Sequence, residues 1–537
     1  MKVNSLALAL SFTCLLGSVS ALAAAQPHRG GSLTWGVETE PVPFNPQLNG
    51  QSKAEVVLRN VWESLLARRP DGSYVPWLAQ GYQASPDGKS FTFTLRPDVT
   101  FSNGEKLTAG AVAENFRHLQ DAQYCAGSSL CAMGVRIARI DTPDDHSVTI
   151  TLKQGFAPFL AFAAKLPILA PASWHSSQLR SGGTEIAGTG PFILESYEKG
   201  QQATFVRNPN YHWAPATAQH QGPAYLDSVT YRFLPESSVR TGALLSGQVD
   251  VIEGISGNDA GEFKDNADFT YQHALNTGTP YSLFLNVDYG PTRELKVRQA
   301  LLQGLDIDPI LKSVYRGERT RAWGITSPVD PLYNKDLEGK YGNQPALANS
   351  LLDEAGWTTR DSQGFRSKNG QRLSIEVIQA QATVRDQRDV LLQALQAQAR
   401  QRLGVELKLR YVDAGTYVEV RNSGKFGSIA NSNTDTDGID IENHYRPVNA
   451  GGAINYSRVN SPEINGWLDR AAATLDAAQQ RQNYSDLQQY ALIKQALAVP
   501  LYEPEDQIAA ASYVHGVGFR SFKQMPENSY DIWLSEH

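Results

Sequence analysis

The sequence predicts an α/β protein built from several sheets, and three observations carry that expectation. Short strands with alternating apolar residues recur between helical stretches along the chain. One stretch, over about 373–411, reads strand–helix–strand, the pattern of a parallel βαβ unit. At 537 residues the chain also exceeds what one hydrophobic core accommodates, so two or three domains are expected.

Each element has a local reason. Phe91, Phe93 and Leu95 alternate with polar residues, and Pro97-Asp98-Val99-Thr100-Phe101-Ser102-Asn103-Gly104 then turns the chain. Thr108 reads as the N-cap of a helix over 109–119 whose Val112, Phe116 and Leu119 share one face. Val148, Ile150 and Leu152 form another half-buried strand, as do Val229, Tyr231 and Phe233. The βαβ unit takes Leu373, Ile375 and Val377, a polar-rich helix over about 383–402, and Val405, Leu407, Leu409 and Tyr411. No internal repeat or low-complexity segment interrupts this pattern.

The first residues predict export. Lys2 supplies a positive n-region, the apolar run over 6–22 an h-region, and Ala21, Ala23, Ala24 and Ala25 the small residues of a cleavage site. The expected signal peptide is 1–25, with cleavage after Ala23 or Ala25. Cys14, in Phe12-Thr13-Cys14-Leu15, lacks the small residue that precedes a lipidated cysteine, so a Gram-negative periplasm is expected over a lipid anchor. Removing Cys14 leaves Cys125 and Cys131. An even pair in an exported protein reads as a disulfide closing a small loop, and a zinc site finds no histidine nearby. A net charge of −7 and a pI near 5.9 argue against a nucleic-acid partner, which calls for a basic face.

A series of segments then resembles, in order, the peptide/nickel family of ABC transporter solute-binding proteins, the large three-domain class. It begins with Gly31-Ser32-Leu33-Thr34-Trp35-Gly36, Phe44-Asn45-Pro46 and Val61-Trp62-Glu63-Ser64-Leu65. The most diagnostic stretch runs over 85–96 and on through Val99-Thr100-Phe101-Ser102-Asn103-Gly104. Gly188-Thr189-Gly190-Pro191-Phe192, Arg207-Asn208-Pro209-Asn210-Tyr211-His212-Trp213 and Gly247-Gln248-Val249-Asp250 follow. Val297-Arg298-Gln299-Ala300, the run 351–357, Asn455-Tyr456-Ser457 and Val499-Pro500-Leu501-Tyr502 complete the series.

The resemblance implies a two-lobed fold of the type II periplasmic binding-protein kind, with an extra domain inserted in the first lobe. The first lobe is expected over 26–280 and 500–537, its inserted subdomain over about 60–200, and the second lobe over 281–499. It also implies hinge closure on a solute, delivery to the permease subunits of an importer in the inner membrane, a monomer, and no cofactor or catalytic group. The implied solute is a short peptide. The alternative is a metal chelate, either nickel or an opine-type metallophore complex.

The residues expected to hold the solute come from three places. The polar stretch over 431–446 aligns with a motif in which an acidic residue pairs with a ligand's amino terminus; Asp437 is the first candidate, with Asp435 and Asp440 beside it, against the alternative of an Asx-rich turn capping a helix. Arg385, Arg388 and Arg446 are candidates for gripping a carboxylate with parallel hydrogen bonds, against a solvated helix face. Trp323, Phe44, Asn45 and Tyr445 are expected near the cleft, with core packing as the alternative for Trp323. His444 is the weak metal alternative; it and His118, His175 and His212 are scattered without ligand spacing. Where the nickel branch carries arginines, this chain has Ala164-Lys165-Leu166-Pro167. The different-class alternatives are a peptide hydrolase and a chemosensory receptor partner. Gly-x-Ser-x-Gly, His-Glu-x-x-His and the phosphate-cradling glycine loop are all absent from the sequence.

Overall fold

The computed structural model describes residues 26–125, 129–435, 438–450, 454–523 and 525–535. The expected signal segment, with Cys14, lies outside them, and so does Asp437.

A seven-stranded sheet organises the first lobe, in the order Phe269–Leu275, Glu505–Ala511, Val251–Glu253, Ser32–Val37, Ser228–Phe233, Gln202–Arg207, Phe192–Glu198. Its central strand, Ser32–Val37, runs parallel to both neighbours. The alternation read in the sequence is what the core uses: Leu33, Trp35, Val229 and Tyr231 point into one apolar cluster.

Into this lobe is set a four-stranded antiparallel sheet, in the order Ala79–Ala84, Ser90–Leu95, Ser147–Leu152, Ile137–Asp144. Phe91, Phe93, Val148 and Ile150 are buried beneath the helices Ala109–His118 and Phe159–Ala163. Thr108 caps the first of these, its hydroxyl accepting from Ala111 N at 3.1 Å. Cys125 is disulfide-bonded, and the Cys131 side chain lies outside the described residues.

The second lobe is built on a five-stranded sheet, in the order Glu406–Val412, Ser374–Ala380, Ser428–Asn433, Thr279–Leu285, Ala498–Tyr502. Ser374–Ala380 and Glu406–Val412 pair in parallel across the helix Arg388–Leu403, which is the βαβ unit. That helix starts later than the expected 383. Asp386 and Gln387 both take left-handed backbone (φ 51° each), which no helix continues through. Apolar clusters cover both faces of this sheet.

The chain passes from the first sheet to the second between Leu275 and Thr279, and returns between Tyr502 and Glu505. Residues 500–502 are therefore strand residues of the second sheet. Among the described residues no helix is long and apolar enough to cross a membrane.

Candidate functional site

Two short extended passages joining two lobes leave a cleft between them, and a chamber of about 350 Å3 lies there. The first lobe contributes Gly50, Gln51 and Ser52; the second contributes the turn after Ser374–Ala380, the end of Ser428–Asn433, and Tyr417 and Tyr456. The charged residues among its described lining are Arg385, Arg388 and Arg421.

The left-handed pair Asp386–Gln387 explains why Arg385 and Arg388 differ. Arg388 opens the helix and is enclosed completely. Its Nε donates to Tyr502 Oη at 2.9 Å, Nη2 to Ser432 Oγ at 2.7 Å and Nη1 to Thr383 O at 3.2 Å, and the guanidinium lies 4.2 Å from the Tyr281 ring centre. These bonds tie the ends of two strands of the second sheet, Ser428–Asn433 and Ala498–Tyr502, to the turn that follows Ser374–Ala380. Arg385, before the reversal, points elsewhere: its buried Nε has no hydrogen-bond partner, and Asp386 lies 3.9 Å away. Burial, and then the Arg388 charge, lower its pKa from the usual arginine value. Arg385 is among the residues lining the chamber, where a guanidinium is suited to an anionic oxygen.

Charges from both lobes meet around this chamber. Asp386 is anchored by Arg319 at 3.7 Å, and Arg319 in turn lies 3.6 Å from Glu505 on the first-lobe strand. Burial acts to raise the Asp386 pKa, but Arg319, Lys53, Arg388 and Arg385 together hold it down at about 2. Lys53, on the first lobe, is buried against Asp506. Farther along, Arg136 reaches Glu442 at 3.2 Å, and Lys165 pairs with Asp435. Burial opposes the charge on Lys165, yet Asp435 and Glu55 raise its pKa; the Asp435 carboxyl is lowered in return, burial being outweighed by Lys165 and Lys523.

The remaining sequence candidates fall as follows. Asp440, in the first turn of the helix Ile439–Tyr445, is 2% exposed, and neither carboxyl oxygen has a hydrogen-bond partner. Arg446 is held by Glu442 and by Asp469 at 2.9 Å, away from the chamber lining. Tyr445 packs in the core of the second lobe, and Trp323 packs against the same cluster beside Tyr341. Phe44 is fully buried against Tyr197 and Trp62, and Asn45 donates to Leu179 O at 2.6 Å. His444 stacks on Phe284 at 4.7 Å, and burial lowers its pKa to about 4. Among the described residues no group of three or more His, Cys, Asp or Glu is placed to hold a metal ion.

Sequence reasoning missed Lys53, Lys165 and Arg421 as cleft cations. Lys165 had a signal, since it stands where related sequences carry arginines; Arg421 and Lys53 had none.

The comparisons with known proteins agree with this architecture. The chain is 29% identical over 460 residues to the "Nickel-binding periplasmic protein" of Escherichia coli (strain K12), covering 83% of this chain and 84% of that one. It is 26% identical over 499 residues to a "Putative ABC transporter peptide-binding protein" of Brucella ovis, covering 90% and 89%. Among solved structures, NikA from Brucella suis in complex with Fe(III)-EDTA superposes with a TM-score of 0.77 at 25% identity, over 94% of this chain and all (100%) of that one. The family model for the bacterial extracellular solute-binding proteins, family 5, matches residues 73–455, and the chain belongs to that family.

Proposed function

We propose that this protein is the periplasmic solute-binding component of an ABC importer, closing its two lobes over a small carboxylate-bearing solute, a short peptide in the first reading. The observation that carries it is the interlobe chamber of about 350 Å3, whose described charged lining residues are the three arginines Arg385, Arg388 and Arg421. Closure takes the solute's carboxylate out of water, where a solute lacking it leaves the arginines of the lining without an anionic partner. The solute favours the closed form only through its higher affinity for that form. In this reading the N-terminal 1–25 directs export into a Gram-negative periplasm and is removed, and the loaded monomer docks on the membrane permease. The family is one of solute-binding proteins, and no reaction is assigned to the chamber.

A metal chelate is the second reading. It is favoured by the charge of the chamber, whose described charged lining residues are all arginines, and by the nickel-binding relative. A chelate ringed by carboxylates suits such a wall.

Native mass spectrometry of the protein isolated from a periplasmic extract, followed by denaturation and identification of what is released, tests both. Di- to pentapeptides support the first reading, and a chelator arriving with its metal supports the second. An empty protein that hydrolyses peptides overturns both. With the identified solute, Arg385→Ala is expected to lose the charge-assisted bonds of one guanidinium, about 1.5–3 kcal/mol. That is roughly 10- to 100-fold in affinity by calorimetry. Unchanged affinity removes Arg385 from the site.

A further inference from the structure

The lobes meet a second time, through residues outside the two passages that join their sheets. Arg136 ends the 3-10 turn Ser129–Arg136 of the inserted subdomain, and its guanidinium lies 4.0 Å from the Phe156 ring centre. Its Nη2 donates to Glu442 Oε2 at 3.2 Å, on the second-lobe helix Ile439–Tyr445. Glu442 is buried, and Arg446 Nη2 donates to its other oxygen at 3.1 Å. The backbone also bridges the lobes here. Ala157 N, just before the helix Phe159–Ala163, donates at 2.8 Å to the carbonyl of Ala472, the last residue of the helix Pro462–Ala472. Ala472 is buried within the apolar cluster of the first lobe, and Ile439 packs against that cluster. The contact is close enough that a Cβ placed on Gly155 would lie 3.4 Å from Ala473 Cα. The space left beside Arg136, Phe156 and Glu442 is about 30 Å3.

We infer that these contacts form a latch, built by the inserted subdomain, that favours the closed form whether or not a solute is present. None of Arg136, Phe156, Ala157, Glu442 and Ala472 is among the described residues lining the chamber, so a solute there adds nothing to them. The latch is also built to part. When the lobes separate, Glu442 keeps Arg446 and Arg136 keeps Phe156, so neither charge is stranded, which is what makes a buried ion pair costly to break. Opening gives up one charge-assisted bond, one backbone bond and the apolar cover of Ala472 and Ile439. A contact that strengthens the empty and the loaded closed forms equally cannot change which solute is preferred. Where the chamber holds a solute, as proposed above, such a contact slows entry and release together. Affinity is left nearly unchanged once the closed form predominates in both. Retention is thereby separated from selectivity: the arginine wall chooses the solute, and the latch sets how long the cleft stays shut.

Amide hydrogen exchange tests this without a ligand, on the full mature chain refolded from denaturant to strip any bound solute and read at single-residue resolution. The Ala157 amide reports the latch. Its neighbour Phe156, whose amide donates to Gly88 O within the subdomain at 2.9 Å, reports the subdomain's own fold. Both are expected to be protected in the wild type. Arg136→Met, which keeps an apolar stem on Phe156 and removes the charge, is expected to speed exchange at Ala157 by about tenfold or more while Phe156 stays protected. Arg136→Lys keeps a cation and is expected to fall between the two. A wild type whose Ala157 amide exchanges at the unfolded-chain rate overturns the inference, as does an Ala157 rate unmoved by Arg136→Met. Acceleration of Phe156 and Ala157 together overturns it as well, because Arg136 would then be holding the subdomain and not the lobes. Each of these outcomes leaves the chamber standing as a solute site.

Discussion

Asp440 offers the sharpest test of the electrostatics behind the cleft. It is enclosed where the helix Ile439–Tyr445 meets the passage between lobes: a Cβ placed on Gly278 would lie 2.4 Å from its Oδ2. Burial first, and then the negative charge of Asp435, push its pKa up to about 8; Asp330 adds to this, while Lys165 acts the other way. Asp330 is itself raised to about 6 by burial. The Asp440 carboxyl is thus protonated in the native protein at neutral pH, whereas in the unfolded chain it ionises near its ordinary value of about 3.9.

The sign follows directly. Between pH 4 and 8 the folded state holds a proton that the unfolded state has released, so this group makes stability fall as pH rises, by about 1.4 kcal/mol per unit. At pH 7 the accumulated cost is roughly 4 kcal/mol, and above pH 8 it grows no further. Asp440→Asn has nearly the same shape and no proton to hold. Differential scanning calorimetry of both proteins from pH 5 to 8 is expected to give a wild-type midpoint that falls relative to the variant across the range, with the variant the more stable at pH 8. Parallel midpoint curves would refute the reasoning, because they would mean that Asp440 ionises alike in both states. A variant advantage largest at pH 5 would refute the sign.

Two further substitutions probe the frame around the site. Arg388→Met removes three hydrogen bonds from a fully enclosed guanidinium and strands Tyr502, Ser432 and Thr383 O around it. A loss of about 3–5 kcal/mol is expected in denaturant unfolding of the second lobe, with Arg385→Ala affecting that midpoint far less. Gly278→Ala forces a side chain onto backbone at φ +92°, with its Cβ 2.5 Å from Asn433 O. The interlobe passage must then shift, and small-angle scattering is expected to report a larger radius of gyration than the wild type; an unchanged radius with normal stability contradicts the close approach.

Much of the fold is legible because its strands and helices are amphipathic. Alternation at Phe91, Phe93 and Leu95, and at Val148, Ile150 and Leu152, reads as a half-buried sheet, and both trios are buried. The Thr108 cap gives a helix start that matches the observed Ala109. Periodicity failed at 383–387, where it began the helix about five residues too early. The left-handed conformations at Asp386 and Gln387 depend on tertiary anchors: Arg319 on the Asp386 carboxylate, and Tyr502 Oη at 3.4 Å. Neither partner is near in sequence, so no local rule could supply the break.

The same failure governs the candidate site. By spacing alone Arg385 and Arg388 are equivalent, three residues apart on one expected helix. The reversal between them makes Arg388 a fastening for the sheet, while the Arg385 Nε keeps the Asp386 carboxylate at 3.9 Å. Asp435 likewise reads as a free carboxylate in a polar stretch until Lys165, 270 positions away, is brought against it. Each of these roles is set by a partner from another strand or the other lobe, and burial raises the stakes. Lys53 is buried against Asp506; burial lowers its pKa, and Asp386, Glu253 and Glu38 act to raise it. Asp386 in turn owes its low pKa to Arg319, Lys53, Arg388 and Arg385, so the strained turn and the charges from both lobes support one another. A cleft wired in this way holds Arg388 and Asp386 in place before any solute arrives. The solute then spends little of its binding free energy on ordering the site, which is the physical basis for expecting discrimination from so few contacts.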